Sequence, residues 1–383
     1  MILMKKYLKK ILYKNEYSSI VPINDNFKKR KISEIIGGKL NPDKVFYIIR
    51  RYPGTGLLSN LAYVINHIQI ANRMGFIPIV DMKNYPSVYN ENDKIFGTLN
   101  SWEYYFEQLT DYSLDEVYQS KNIIITDNKF YRDEEFKNKI TTSDNLISLL
   151  KNKIKLQKTK NKIKKDNKFY RDEEFKNKIK NSDNLVTLLK KKIKLKKTKY
   201  KTINYLRRKL FKGEKILGVH HRGTGYKITE YPITINQMIN IINEILKKDK
   251  YDKIFLVTED SVNFKALKKY YKEKIICLEN SQRGKTNLEV WKKYPRKLHR
   301  YKLGRDILYE TFLLSYCDGF FDIDTNPREI AYALNLNPKQ KRYSYNNGIN
   351  KPWKYFKYLN FKWHIRKFMP KSLGGFEKNK KPL

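Results

Sequence analysis

The chain has 383 residues, which at roughly 150 per domain points to two domains. Apolar residues make up 40% and charged residues 31%, enough for a sizeable core and against wholesale disorder. Lysine and arginine exceed aspartate and glutamate by 81 − 39 = +42, so the expected partners are polyanions: nucleic acid, an anionic membrane surface or a phosphorylated substrate. Two cysteines, Cys277 and Cys317, offer no disulfide framework, and no C-x-x-C or H-E-x-x-H spacing occurs. The N-terminal MILMKKYLKKILYKNEY has neither an uninterrupted apolar core nor a small-residue cleavage site. No apolar run reaches the roughly 18 residues that span a bilayer. A cytoplasmic protein, soluble or peripheral, is expected.

In chain order, KVFYIIR (44–50) reads as a buried strand that runs into the turn Tyr52-Pro53-Gly54-Thr55-Gly56. A helix follows, with Leu57, Leu58, Leu61, Val64, Ile65, Ile68 and Ile70 apolar and Gly75 closing it. His67 falls on its apolar side and is expected to be structural. Phe76–Val80 is a second strand, so the opening is a β-loop-α-β unit with a glycine-bearing loop. An aromatic block, Ser101-Trp102-Glu103-Tyr104-Tyr105-Phe106-Glu107, precedes a short strand at 122–125.

Residues 127–160 then match 166–199 with 28 identities in 34 positions. Two copies are too few for a solenoid. They are expected to form a helical hairpin inserted between domains, since long surface insertions cost little. Beyond it, strands at 215–220, 253–257, 274–278 and 319–321 alternate with helices at 233–248, 261–272, 304–316 and 327–334. That alternation predicts a second parallel-sheet domain, with ligand at the carboxyl ends of its strands. The expected divisions are a basic N-terminal segment (1–43), a Rossmann-like domain (44–126), the duplicated insertion (127–212), a second Rossmann-like domain (213–345) and a basic aromatic tail (346–383).

The segment Gly218-Val219-His220-His221-Arg222-Gly223-Thr224-Gly225-Tyr226 carries the clearest chemistry. Glycines admit a ligand close to the backbone, and an arginine at a strand end can grip a phosphate with two parallel hydrogen bonds. His220 can hydrogen-bond a base or a ribose. The plain alternative is an exposed arginine in a glycine turn.

H-x-R-x-T at a strand end resembles the peptide motif of the α-1,6-, α-1,2- and protein O-fucosyltransferase superfamily. Gly56-Leu57-Leu58-Ser59-Asn60 resembles that superfamily's G-x-x-x-N element. YPGTGLLSN, IPIVDMKNYP, NSWEYYFEQ, HRGTGY and LVTED, in this order, are similar to a group of bacterial glycosyltransferase-like proteins from surface-polysaccharide loci. The resemblance covers about residues 44–125 and 201–340. It implies an α/β, GT-B-like fold, with two Rossmann-like domains facing across a cleft and a helical insertion. The first domain would take the acceptor and the second the nucleotide sugar. It also implies inverting transfer from a GDP-sugar, fucose first, to a glycan acceptor in surface polysaccharide or lipopolysaccharide synthesis. No cofactor and no metal are expected.

By the same resemblance Arg222 holds the donor β-phosphate, and His220 and Thr224 contact the nucleotide. Glu259 and Asp260, after Thr258, approach it, unless they form a surface loop. Glu310 faces the guanine, or lies on a solvated helix face. Asp324-Thr325-Asn326 opens a helix towards the diphosphate, with Thr325 and Asn326 as contacts; Asp322-Ile323-Asp324 spells D-x-D without being read as a metal site. Gly56 and Asn60 serve the sugar side, although Asn60 can equally be a helix cap. The family's second arginine is Gly223 here and its usual acid is Gly225. An inverting transfer needs a base for the acceptor hydroxyl and positive charge for the departing diphosphate. Glu230 is the nearest carboxylate to Arg222, and Glu103 and Glu107 are its rivals.

Residues 190–212 hold twelve lysines and arginines and no acid, and 351–383 hold ten against Glu377, among aromatics. Such mixtures suit an anionic bilayer surface, with the protein peripheral on the inner face of the cytoplasmic membrane near a lipid-linked glycan. They also suit single-stranded nucleic acid, and an AT-rich genome would enrich lysine by itself. No nucleic-acid module is present, so no specific nucleic acid is expected. A non-catalytic polyanion- or nucleic-acid-binding α/β protein is the second reading.

Overall fold

The computed structural model describes residues 38–51, 55–125, 189, 191–222, 233–285, 287–292, 296–322 and 325–345. Most of the tandem repeat, the N-terminal segment, the basic tail, Thr224 and Glu230 lie outside them. The chain divides into two compact units, Met1–Lys196 and Lys197–Leu383.

The first unit is built on three parallel strands, β1 (Phe46–Ile49), β2 (Ile77–Val80) and β3 (Ile123–Ile125), in the order β2-β1-β3. Their runs FYII, IPIV and III are apolar without alternation, as strands of a parallel sheet are. Helix α1 (Leu57–Met74) connects β1 to β2. It buries Leu57, Leu58, Leu61, Val64, Ile65 and Ile68, a stripe at helical spacing. Gly75 ends it in the left-handed region at φ 68°, with its N–H returned to Ala71 and Asn72. The aromatic block is core: Trp102, Tyr104, Tyr105 and Phe106 are buried, on and after a short 3-10 turn, Ser101–Tyr104, that Asn100 caps. Helix α2 (Leu114–Tyr118), capped by Ser113, leads to β3.

The second unit opens with helix α3 (Lys197–Phe211), within the stretch that the sequence assigns to the insertion. Strands β4 (Ile216–His220), β5 (Lys253–Val257), β6 (Ile275–Ile276), β7 (Gly319–Asp322) and β8 (Lys341–Ser344) form one parallel sheet, ordered β6-β5-β4-β7-β8. The periodicity did not reveal β8. Its KRYS has one buried residue, Tyr343, on an edge strand. Helices α4 (Ile235–Lys248) and α5 (Ser261–Tyr271) cover one face, and α7 (His299–Tyr316) and α8 (Asn326–Leu334) the other; α6 (Asn287–Lys292) is a short helix before α7. Strand residues alternate between the two cores. Leu217, Val219, Ile254 and Leu256 go to one, and Ile216, Phe255 and Val257 to the other.

Local signals explain the helix starts. Thr234 and Gln237 form a reciprocal capping box on α4. Asp260 caps α5, accepting from the N–H groups of Val262 and Asn263 at 2.9 and 3.0 Å. Helix α7 starts at His299 instead of 304, since nothing in HRYKL opposes a helix. It lies close to the sheet because β4 has no side chain at Gly218: a Cβ there would come within 2.9 Å of Leu314 Cδ2.

Candidate active site

Chain order against strand order locates the ligand edge. The second unit's chain runs outward from β4 through β5 to β6, then returns to the other side of β4 with β7 and β8. The reversal falls between β4 and β7, and ligands of open α/β sheets bind at the carboxyl ends there. In register, His220 at the end of β4 stands beside Asp322 at the end of β7.

His220 is buried, and its Nδ1 lies 3.1 Å from the Thr325 hydroxyl. Burial first, and then the charge of Arg222 beside it, press the imidazole pKa down to about 3. A neutral ring has one donor and one acceptor nitrogen, so what His220 can offer is a hydrogen bond and not a charge. Positive charge comes from the next side chain but one, Arg222, which is partly exposed. His221 points elsewhere. It is buried with Nδ1 3.4 Å from the Thr258 hydroxyl, and burial lowers its pKa against the opposing pull of Asp260 and a bond to the Ile233 carbonyl.

Thr325 occupies the cap position of α8, yet its hydroxyl makes no capping bond; it turns to His220. Its side chain therefore orients the imidazole instead of closing the helix end. Asn326 opens the helix and Pro327 follows in its first turn, where a missing N–H costs nothing. The α5 N-terminus stands at the same edge, after β5. Both helices bring the positive ends of their dipoles to it.

Glu310 is not on a solvated face. It is buried on α7, accepts from the Ser281 hydroxyl at 2.7 Å, and has its pKa pushed up to about 8, chiefly by burial. Glu259 and Asp306 push the same way, while Ser281 and Arg283 oppose them. Near pH 7 the group is mostly a carboxylic acid with an acceptor bond already made. Nor is Thr258-Glu259-Asp260 an open loop: Thr258 is buried, the Gly284 N–H bonds the Glu259 carbonyl at 2.9 Å, and the Asp260 carboxylate is committed to its cap.

Asp322, Ser281 and Arg283 were not singled out as site residues. Asp322 is fully buried, bonded by Tyr332, Arg328 and Ser344, and raised to about 7 by that burial. Arg283 lies 4.0 Å over the Phe264 ring and donates to the carbonyls of Ser281 and Leu278 at 3.1 Å. It shapes the loop that presents Ser281. A polar stretch between β6 and α7 was the sole signal for either, and it looks like any surface loop.

In the first unit the expected residues are engaged in holding loops. The α1 cap is Gly56 and not Asn60. Asn60 is buried inside the first turn, its N–H on the Gly56 carbonyl at 2.9 Å and its amide oxygen accepting from Thr55. Gly56 itself has φ −64°, open to any residue, and a Cβ there would meet nothing closer than the Tyr89 hydroxyl at 3.9 Å. Glu103 accepts from Thr98 at 2.7 Å, Asn100 at 3.0 Å and Gln108 at 3.1 Å, which ties down the loop after β2. The Glu107 side chain is exposed. His67 is structural as expected, buried with Nδ1 2.8 Å from the Tyr47 hydroxyl and its pKa lowered to about 3 by burial. Among the described residues no group of three or more His, Cys, Asp or Glu could hold a metal ion. None of their helices is long and apolar enough to cross a membrane.

No family model matches the sequence, and no curated protein does. Solved structures do resemble it. The NodZ α-1,6-fucosyltransferase co-crystallised with GDP is 15% identical, over 80% of this chain and 98% of that one, with a TM-score of 0.45. Fucosyltransferase NodZ from Bradyrhizobium gives the same identity, coverage and TM-score, 15%, 80% and 98%, and 0.45. FUT1 of Arabidopsis thaliana with GDP is 10% identical over 88% and 78% of the two chains, at 0.39. Likeness this distant says nothing of the chemistry. Both NodZ structures are of a fucosyltransferase.

Proposed function

We propose that the protein is a glycosyltransferase that takes a sugar, fucose first, from a GDP-sugar and passes it to a glycan acceptor. The observation that carries this reading is the β4–β7 switch point. There a neutral, oriented His220 adjoins the cationic Arg222, while the Glu310–Ser281 pair lies in the same unit past the end of β6. A nucleoside diphosphate needs that combination: hydrogen-bonding groups of fixed direction for the nucleoside, and fixed positive charge for the phosphates.

In the proposed reaction the acceptor hydroxyl attacks the anomeric carbon while a carboxylate base takes its proton. The bond from that carbon to the β-phosphate oxygen breaks, and GDP leaves with the electron pair. Attack opposite to departure inverts the anomeric centre. Arg222 and the N-termini of α5 and α8 offset the charge that develops on the leaving diphosphate, the task a metal would otherwise perform. Of the three carboxylates weighed as base, Glu103 has both oxygens committed, which favours Glu230, with Glu107 behind it. The GT-B-like arrangement and a place in surface-polysaccharide synthesis belong to the same proposal.

Isothermal titration with GDP, UDP and CMP at moderate salt tests it. Selective GDP binding that Arg222→Ala weakens by about 10- to 100-fold is expected, the worth of a charge-assisted phosphate contact. Weak, equal binding of all three that fades with salt would mean that bulk charge acts alone, and the reading falls.

A further inference from the structure

Among the described residues the outer face of α3 makes no ion pair. The inner face holds the helix: Ile203 and Phe211 are buried, Leu206 and Leu210 pack on the core, and Asn204 meets the Tyr316 hydroxyl at 3.5 Å. Even Lys199 is turned inward, its ammonium on the Tyr301 hydroxyl. On the opposite side Lys197, Lys201, Arg208, Lys209 and Lys212 are exposed. None of these five has an acidic partner among the described residues. At about 100° per residue, Lys197, Lys201 and Arg208 fall within about 40° of one another along about 16 Å of helix, and Lys212 follows just past its end. No acid interrupts 190–212. Tyr205, 55% exposed, and Tyr200, 47% exposed, flank this stripe on its two sides.

We propose that this face of α3 docks the protein on an anionic lipid bilayer, lying in the plane of the headgroups. A straight, convex row of cations with one polar edge matches a flat anionic surface, where charges within a Debye length act together. The exposed tyrosines have apolar rings with polar tips, the pattern of a residue seated at headgroup depth. Single-stranded nucleic acid needs open ring faces for base stacking. Two of the rings nearby each have a cation over one face: Lys209 stands over Tyr205 at 6.0 Å, and Arg207 over Tyr316 at 4.5 Å. The proposal does not depend on the catalytic reading.

Flotation of the full chain with vesicles tests it, phosphatidylcholine mixed with phosphatidylglycerol against phosphatidylcholine alone. Wild type is expected to float with the anionic vesicles only, and to be released by salt. Lys197→Gln/Lys201→Gln/Arg208→Gln/Lys209→Gln should weaken partition by up to about fivefold for each charge removed, the equivalent of about 1 kcal/mol near the surface. GDP titration of the same variant separates docking from the donor site and reports on folding. If the quadruple variant fails to fold, Lys201→Gln/Arg208→Gln is read in its place. Wild-type partition in the folded variant overturns the proposal, since the charge then acts from other segments. Binding of a thymidine oligonucleotide that the variant loses, without vesicle partition, overturns it in favour of nucleic acid.

Discussion

The two units carry the same kind of sheet edge and use it differently. In the first, polar groups after β2 are spent on one another: Asn90 donates to the carbonyls of Met82 and Leu99 at 2.6 and 2.8 Å, Asn100 to that of Val80 at 2.8 Å, and Glu103 collects three donors. In the second, buried groups carry displaced ionisation: His220 at about 3, Asp322 at about 7 and Glu310 at about 8. Burying such groups costs stability, and displaced groups gather where ligands bind. His67 is a warning against using that signal alone, because its ring is displaced as far as His220 while doing nothing but fill the core against Tyr47. What separates the two histidines is place, mid-helix against strand end.

Changes at the second edge should therefore alter donor binding, and changes to the loop ties after β2 should alter stability while leaving donor binding intact. Arg222→Lys is expected to have the largest effect on turnover, about 100-fold or more in kcat, because an ammonium cannot reproduce a planar two-point grip on a phosphate; a rate assay with GDP-fucose reads it. Full activity would move the phosphate contact elsewhere.

Glu310 gives a pH signature. A carboxyl that ionises near 8 in the folded chain and near 4.5 when unfolded leaves the folded state with more protons bound between those values, so stability falls as pH rises through that window. Glu310→Gln, which keeps an acceptor for Ser281, should flatten this dependence in denaturant titrations. If guanine recruits the ionised form, GDP binding releases a proton and tightens as pH rises towards 8, up to tenfold per unit. Calorimetry in buffers of different ionisation enthalpy measures that proton, and the Gln variant should show none.

Thr325→Val removes the partner of His220 and leaves a buried ring nitrogen unmet. A loss of about 1–3 kcal/mol in stability is expected, together with weaker GDP binding as the ring loses its orientation. Asn90→Ala should cost a similar 1–3 kcal/mol and leave the GDP affinity of the folded protein unchanged. A fall in that affinity would end the division of labour between the two edges.

Much of this was legible in the residue order. Uninterrupted apolar runs gave β1, β4, β5 and β7, and a helical stripe and Gly75 gave α1, because backbone geometry converts those spacings into elements directly. H-x-R at the end of β4 could be named for the same reason. Neighbours distant in sequence could not. Thr325 belongs with His220, 105 positions away, only because β7 pairs with β4. Glu310 could equally have been a surface acid until α7 placed it beside Ser281. Strand β8 hid behind polar letters because an edge strand buries little. The sequence by itself determined the longer strands and helices and where the cations lie, since propensity and periodicity act over a few residues. Only the tertiary structure decided which polar side chains are spent as caps and loop ties and which stay poised at the sheet edge. That distinction rests on burial and on partners brought together by chain crossing, and no local pattern records either.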